Sequence, residues 1–207
     1  MSADPRPELA ELGVADAPGR WAELGFAVAG RDVDLGGIRV RLGEPGEGIV
    51  SWGLRGVQAA EIDGLPTLGA AGGPEARATP SRQPHPNGAL GIDHLVVLTP
   101  DFDRTSAACA AAGLPLRRIR DAGGFRQGFR RLGPAILELV EARDAPAGPS
   151  RFWGLVVIVA DLDALADTLG ERLGAIRDAV QPGRRIATLR ASAGLGPALA
   201  FMDPESA

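Results

Sequence analysis

Residues 91–114 read GIDHLVVLTPDFDRTSAACAAAGL, and residues 152–174 read FWGLVVIVADLDALADTLGERLG. Each stretch is an apolar run rich in β-branched residues, then an aspartate, then a helix-like segment. A short apolar run bounded by Pro, Asp or Gly reads as a mostly buried strand. Asp101 and Asp161 stand where a carboxylate accepts the unpaired N–H groups of a helix's first turn. In the second stretch Leu162, Leu165, Ala166, Leu169 and Leu173 share one helical stripe, with Gly174 at the expected stop. A weaker third start, ELAELGVAD at 8–16, precedes Pro18 and a short helical segment ending at Leu24, with Asp16 in the capping position.

Each predicted helix is followed by strand-like runs separated by Gly-rich turns. They are 26–29, 38–42 and 49–54 in the first unit, 116–120, 125–132 and 135–141 in the second, and 175–180, 185–191 and 197–202 in the third. Every unit therefore reads βαβββ. Such a unit exposes a sheet edge and has too small a core to stand alone, so units two and three, joined by a short connection, form the natural pair. The expected organisation is a degenerate N-terminal βαβββ half-module over 1–57, a Pro/Gly-rich linker over 58–90 and a paired-module domain over 91–207.

Composition narrows the chemistry. The chain has 207 residues, 45% of them hydrophobic, and a formal net charge of −4, which suits a sizeable core and argues against wholesale disorder. All 22 basic residues are arginine and tyrosine is absent, which excludes a GxxxxGK[ST] phosphate loop, a Schiff-base lysine and phenolic acid–base catalysis. The single cysteine, Cys109, forms no internal disulfide and no CxxC site. No apolar run approaches the length of a membrane helix and no basic-then-apolar leader opens the chain, so a cytoplasmic protein is expected. The acidic balance, with few aromatics among the arginines, argues against nucleic acid.

The order of these motifs, with AILELVEA at 135–142 between the two long stretches, resembles the vicinal oxygen chelate superfamily, the glyoxalase-like fold, over residues 91–203. The resemblance implies an α+β architecture in which repeated βαβββ modules form a curved mixed β-sheet around a cleft, here with an extra N-terminal half-module. It also implies a divalent metal (Ni, Fe, Mn, Zn or Co), held by a His or Gln from each module's first strand and a Glu from each last strand. Such a metal leaves coordination sites open to two vicinal substrate oxygens. His94 and Glu138 match two of these ligand positions. The third unit offers Gly154 at the His position and Ala200 or Phe201 at the Glu position, and unit one offers Leu9. Glu11, two residues beyond Leu9 on the same strand face, is the remaining candidate.

With an incomplete ligand set, the resemblance implies a protein that binds a small molecule in the cleft between modules. The alternative is a divalent-metal-dependent lyase, isomerase or dioxygenase acting on a vicinally oxygenated substrate. Read from the residues alone, His94 is equally a hydrogen-bonded cleft histidine. Glu138, on an apolar strand, needs solvent, a partner charge, a ligand or a metal. Seven arginines lie between Arg104 and Arg131 against one acidic residue, Asp121. They are either an anion-binding cleft wall or a solvated sheet face. Arg126, Gln127 and Arg130, with Gln181 and Arg185 at the Pro-Gly turn, are the candidate ligand contacts. An unpaired half-module with a free edge also points to a homodimer.

Overall fold

The computed structural model describes residues 6–69 and 84–205. The N-terminal part runs β1 (Glu8–Val14), α1 (Pro18–Glu23), β2 (Asp32–Leu35), β3 (Ile38–Leu42), β4 (Ile49–Arg55), β5 (Glu61–Ile62) and β6 (Leu65–Gly69). There follow β7 (Ala89–Thr99), α2 (Phe102–Ala111), β8 (Arg118–Asp121), β9 (Arg126–Leu132) and β10 (Ala135–Glu141). The last unit is β11 (Arg151–Val159), α3 (Leu162–Leu169), β12 (Arg177–Asp178), β13 (Arg185–Thr188) and β14 (Ala198–Met202).

Units two and three build one eight-stranded open sheet in the order β12-β13-β14-β11-β7-β10-β9-β8. In each unit the last strand returns parallel to the first, β10 beside β7 and β14 beside β11, and the first strands meet antiparallel at the centre. The register carries an approximate two-fold relation: His94 pairs with Val156, and Gly154 pairs with Val96. Glu138 lies opposite Val96 and Ala200 lies opposite Val156. Ala200, rather than Phe201, is therefore the counterpart of Glu138.

Local signals explain the helices. The Asp101 carboxylate accepts from the Arg104 N–H at 3.0 Å, and Asp161 accepts from Ala164 N–H at 3.0 Å. α3 stops earlier than its leucine stripe suggests, at Gly170 with φ 54°, and a single 3₁₀ turn over 170–172 carries the chain on to the still-buried Leu173. Asp16 does not cap α1. Its carboxylate accepts instead from the Trp21 indole N–H at 3.1 Å and from the Gly196 N–H at 2.8 Å, tying the N-terminal part to the loop before β14.

The N-terminal part departs from the half-module expectation. β3 is parallel to β1, but β4 is antiparallel to β1 and opens a second, helix-free set in which β6 is parallel to β4 and β5 pairs with β6. The resulting sheet, β2-β3-β1-β4-β6-β5, is an abbreviated version of the paired arrangement in the larger sheet. Residues 61–62 and 65–69, expected as linker, are strands, while residues 70–83 lie outside the described residues. The expected strand at 26–29 reduces to a single bridge between Ala29 and Asp32. Its place is taken by β2, whose aspartates at positions 32 and 34 disguise a strand with Val33 and Leu35 buried. The segment is not an unpaired half, so that argument for self-association falls away.

One hydrophobic cluster joins the two sheets. Leu12, Val40 and Trp52 from the first, and Leu95, Leu139 and Phe201 from the second, belong to the same buried core, together with Phe102 of α2 and Leu165 of α3. Each such side chain contributes about 1.5–3 kcal/mol when fully buried. The N-terminal sheet thus covers the face of the larger sheet that its cleft does not use. Its outer face is polar, with Glu11 paired to Arg39 at 3.4 Å and Arg41 near Asp32 at 3.7 Å. At the β5–β6 turn Asp63, the one non-glycine residue with positive φ among those described, takes two bonds from Arg104 (2.7 and 3.2 Å) and one from the Thr105 hydroxyl. The Ser150 N–H and hydroxyl donate to its carbonyl at 2.9 and 2.7 Å, so this turn clamps α2 and the start of β11.

Candidate functional site

β10 alternates cleanly. Leu137 and Leu139 point into the inter-sheet core, while Ile136 and Glu138 face the concave side of the larger sheet. On that side lies a cavity of about 770 Å³ lined by His94, Gln127, Phe129, Ile136, Glu138 and Met202 among others. The edge strands β8 and β12 both reach it, through Arg118 and Arg120 on one side and Arg177 and Asp178 on the other. The 179–182 loop, including Gln181, also lines it.

A chain of polar contacts runs from the core to this cavity. Arg184, only 5% exposed, bonds through Nη1 to Asp93 Oδ1 at 2.7 Å, and its Nε donates to the Asp203 carbonyl at 2.8 Å. The other oxygen of Asp93 accepts from His94 Nδ1 at 2.5 Å. His94 Nε2 stands 3.4 Å from Glu138 Oε2, and Glu138 Oε1 accepts from the Gln127 amide at 2.7 Å. Gln127 in turn accepts from Arg120 Nε at 2.7 Å, and the Arg120 guanidinium lies over the Phe129 ring, 5.3 Å from its centroid.

The electrostatics follow from this layout. Burial acts to raise the Asp93 pKa, but hydrogen bonds and charge from His94 and Arg184 outweigh it, and the carboxyl is held below the ordinary carboxylate value. An ionised Asp93 fixes the proton of His94 on Nδ1, the usual way a carboxylate sets a histidine tautomer. Glu138 goes the other way. Burial pushes its pKa up, His94 and Arg120 pull it down, Asp93 adds to the rise, and the net direction is upward. With Nδ1 turned to Asp93, the ring presents Nε2 to Glu138 Oε2 at 3.4 Å.

No protein-family model and no curated protein matches the chain. Solved structures do. The methylmalonyl-CoA epimerase of Mycobacterium tuberculosis superposes with a TM-score of 0.50 at 20% identity, covering 60% of this chain and 95% of its own. A Streptomyces coelicolor methylmalonyl-CoA epimerase gives a TM-score of 0.44 at 21% identity, covering 56% of this chain and 97% of its own. The chain has the vicinal oxygen chelate fold.

The residues present do not fit the divalent metal that this fold implies. Among the described residues no group of three or more His, Cys, Asp or Glu side chains is placed to hold one. The two positions that would complete the set are lost differently. Ala200 has no donor, and at Gly154 even a Cβ would overlap the Ala198 carbonyl, so a histidine there would force the backbone to shift. The unit-three wall is apolar instead, with Val156, Ala200 and Met202 packed together and Ile186 beside them. The Gln127 oxygen is already taken by Arg120, and Asp93 is taken by Arg184 and His94. Glu11 does not join them. It lies on β1 of the other sheet, paired with Arg39.

Of the other residues marked from sequence, Gln127 and Gln181 line the cavity, whereas Arg126, Arg130 and Arg185 do not. Strand alternation is the reason: Gln127 and Phe129 face the cleft, which turns Arg126 and Arg130 to the opposite face. Arg126 pairs with Glu141 and Asp103 and lies over the Phe102 ring; Arg185 pairs with Asp203 and Asp163. Trp153, read as packing, is 47% exposed, while Phe152 does pack, edge-on against Trp52 at 5.5 Å. The sequence reading missed Asp93 and Arg177, and from the arginine-rich stretches it singled out Arg126, Arg130 and Arg185 where the structure brings Arg118, Arg120 and Arg184 to the site. The period-two count that places Glu138 in the cleft, carried across the hairpin to β9 and β8, finds Arg118 and Arg120. Arg184 and Asp93 meet only through the tertiary fold.

Proposed function

We propose that the concave cleft binds a small organic molecule, with the His94–Glu138 pair as its polar anchor and without a metal. The observation that carries this reading is the continuous chain Arg184–Asp93–His94–Glu138–Gln127–Arg120, which ends in the cavity of about 770 Å³. A cavity of that size with an apolar wall and few convergent polar groups has the make-up of a ligand site. Buried ionisable groups held this firmly orient a ligand without reorganising.

The raised pKa of Glu138 beside His94 favours one further use of the same pair, isomerase-type proton transfer to or from a bound carbonyl compound. A metal-dependent lyase or dioxygenase lacks the donor set. A homodimer is a separate proposal, tested by molecular mass in solution.

The test combines elemental analysis of untagged protein, purified without chelator, with a thermal-shift screen of small metabolites on the wild type, His94→Ala and Glu138→Gln. We expect no stoichiometric metal and at least one compound whose stabilisation disappears in both variants. Near-stoichiometric Ni, Fe, Mn, Zn or Co that is lost in both variants would overturn the metal-free reading. Proton transfer is then read by mass spectrometry, as deuterium entering that compound from D₂O in the wild type alone.

A further inference from the structure

Two arginines of the larger sheet that face away from the cleft are neutralised, Arg126 by Glu141 and Asp103 and Arg185 by Asp203 and Asp163. Two at the cleft mouth are not. Arg118 on β8 and Arg177 on β12 are exposed and make no ion pair or side-chain hydrogen bond with any described residue, yet both line the same cavity. β8 and β12 are the two outermost strands of the sheet, separated in its order by six others. The curvature of the sheet brings its opposite edges to one opening, with a free guanidinium on each.

The remaining charges of the cavity are Arg120 and the carboxylates Glu138 and Asp178. Three guanidinium groups therefore face two carboxylates, and one of these, Glu138, is already occupied by Gln127 and His94. The same cavity is lined by Phe129, Ile186 and Met202, apolar side chains less exposed than the two arginines, and by His94. Guanidinium grips oxyanions with two parallel N–H bonds and suits carboxylate and phosphate alike.

We infer that the cleft takes an organic anion, its oxyanion head held at the mouth between Arg118 and Arg177 and its apolar body lying over Phe129, Ile186 and Met202 toward His94. This rests on the reading of the cleft as a ligand site and names the class of ligand. The two arginines act on the head group alone, because neither side chain is bonded to the polar chain from Arg184 to Arg120.

The test is isothermal titration at low salt with hexyl phosphate, heptanoate, inorganic phosphate and hexanol. The proteins are the wild type, the Arg118→Ala/Arg177→Ala double variant and, as a free arginine outside the cleft, Arg151→Ala. At least one of the two amphiphilic anions is expected to bind more tightly than either inorganic phosphate or hexanol; which one identifies the head group. The double variant should lose about ten-fold or more in affinity for it, a change of about 1.4 kcal/mol, and Arg151→Ala should lose none. Raising the salt should weaken wild-type binding, because these pairs are solvent-exposed. Equal affinity for hexanol, or an unchanged Kd in the double variant, overturns the inference. So does inorganic phosphate binding as tightly as hexyl phosphate. If a neutral compound binds in a His94-dependent way while both amphiphilic anions fail, the anion inference falls and the cleft reading stands. If no compound of either kind depends on His94 or on the two arginines, both fall.

Discussion

Replacing Asp93 by asparagine removes the carboxylate between Arg184 and His94 while keeping nearly the same volume. Arg184 is 5% exposed, and one of its terminal nitrogens, Nη2, already lacks a partner. After the change its charge has no carboxylate partner and keeps neutral acceptors only, the Asp203 carbonyl at 2.8 Å among them. Breaking one side of a buried ion pair costs about 3–5 kcal/mol because the surviving charge is left uncompensated. Arg184→Met leaves Asp93 with His94 as a partner and should cost less, about 1–3 kcal/mol. The Asp93→Asn/Arg184→Met double variant holds neither charge and should recover most of the loss, since exchanging a buried pair for apolar volume is often close to neutral. The assay is urea unfolding at pH 7 for all four proteins, with the coupling read from the cycle. The pH dependence adds a second check. The folded pKa of Asp93 lies below its ordinary value of 3.8, so its contribution is fully present above that value and is lost as pH falls through the lower folded one. The stability gap between wild type and Asp93→Asn should therefore stay flat at neutral pH and close only below about pH 4. A cost under about 1 kcal/mol for Asp93→Asn, or additive costs in the double variant, would refute the reasoning.

Three further outcomes are expected. Asp63→Ala removes the carboxylate that holds Thr105 and Arg104 and places alanine at φ 48°, and should cost about 2 kcal/mol in urea unfolding; a loss near zero would show the turn is not a clamp. Burial pushes the Cys109 thiol up to about 11, so iodoacetamide at pH 8 should label it only after unfolding, as mass spectrometry would record. Ala200→Glu puts a carboxylate at the counterpart of Glu138 and should create divalent-ion-dependent thermal stabilisation absent from the wild type; stabilisation of equal size in both proteins would contradict the lost-ligand account.

Most of the larger sheet is legible in the sequence because its strands are apolar runs closed by capping aspartates, a local signal that the tertiary fold reinforces. β10 appears with the same bounds in sequence and structure, and His94 and Glu138 do meet in the cleft. The N-terminal sheet is harder to read. β4 follows β3 as a fourth strand of a half-module would, and only its antiparallel pairing with β1 reveals a second set. Nothing local encodes that choice. β5 and β6 are too short, and too interrupted by Gly64 and Pro66, to carry a periodicity. At the cleft, residue type pointed to arginine and alternation decided which arginine. Arg126 stands next to Gln127 in sequence and on the other side of the sheet in space.

The larger sheet has an approximate two-fold axis in its backbone that its cleft-facing side chains do not share. One half contributes His94, Gln127 and Glu138; the equivalent places in the other half hold Gly154, Ile186 and Ala200. A cleft symmetric in its side chains would admit a ligand in two orientations and could not tell one end from the other. Here the two ends of the cleft differ, with His94, Gln127 and Glu138 toward one and Ile186 and Ala200 toward the other. Ligand-type side chains in one half alone thus give the pocket a direction: the two ends of an elongated guest meet different surroundings, and reversing it end for end should cost affinity.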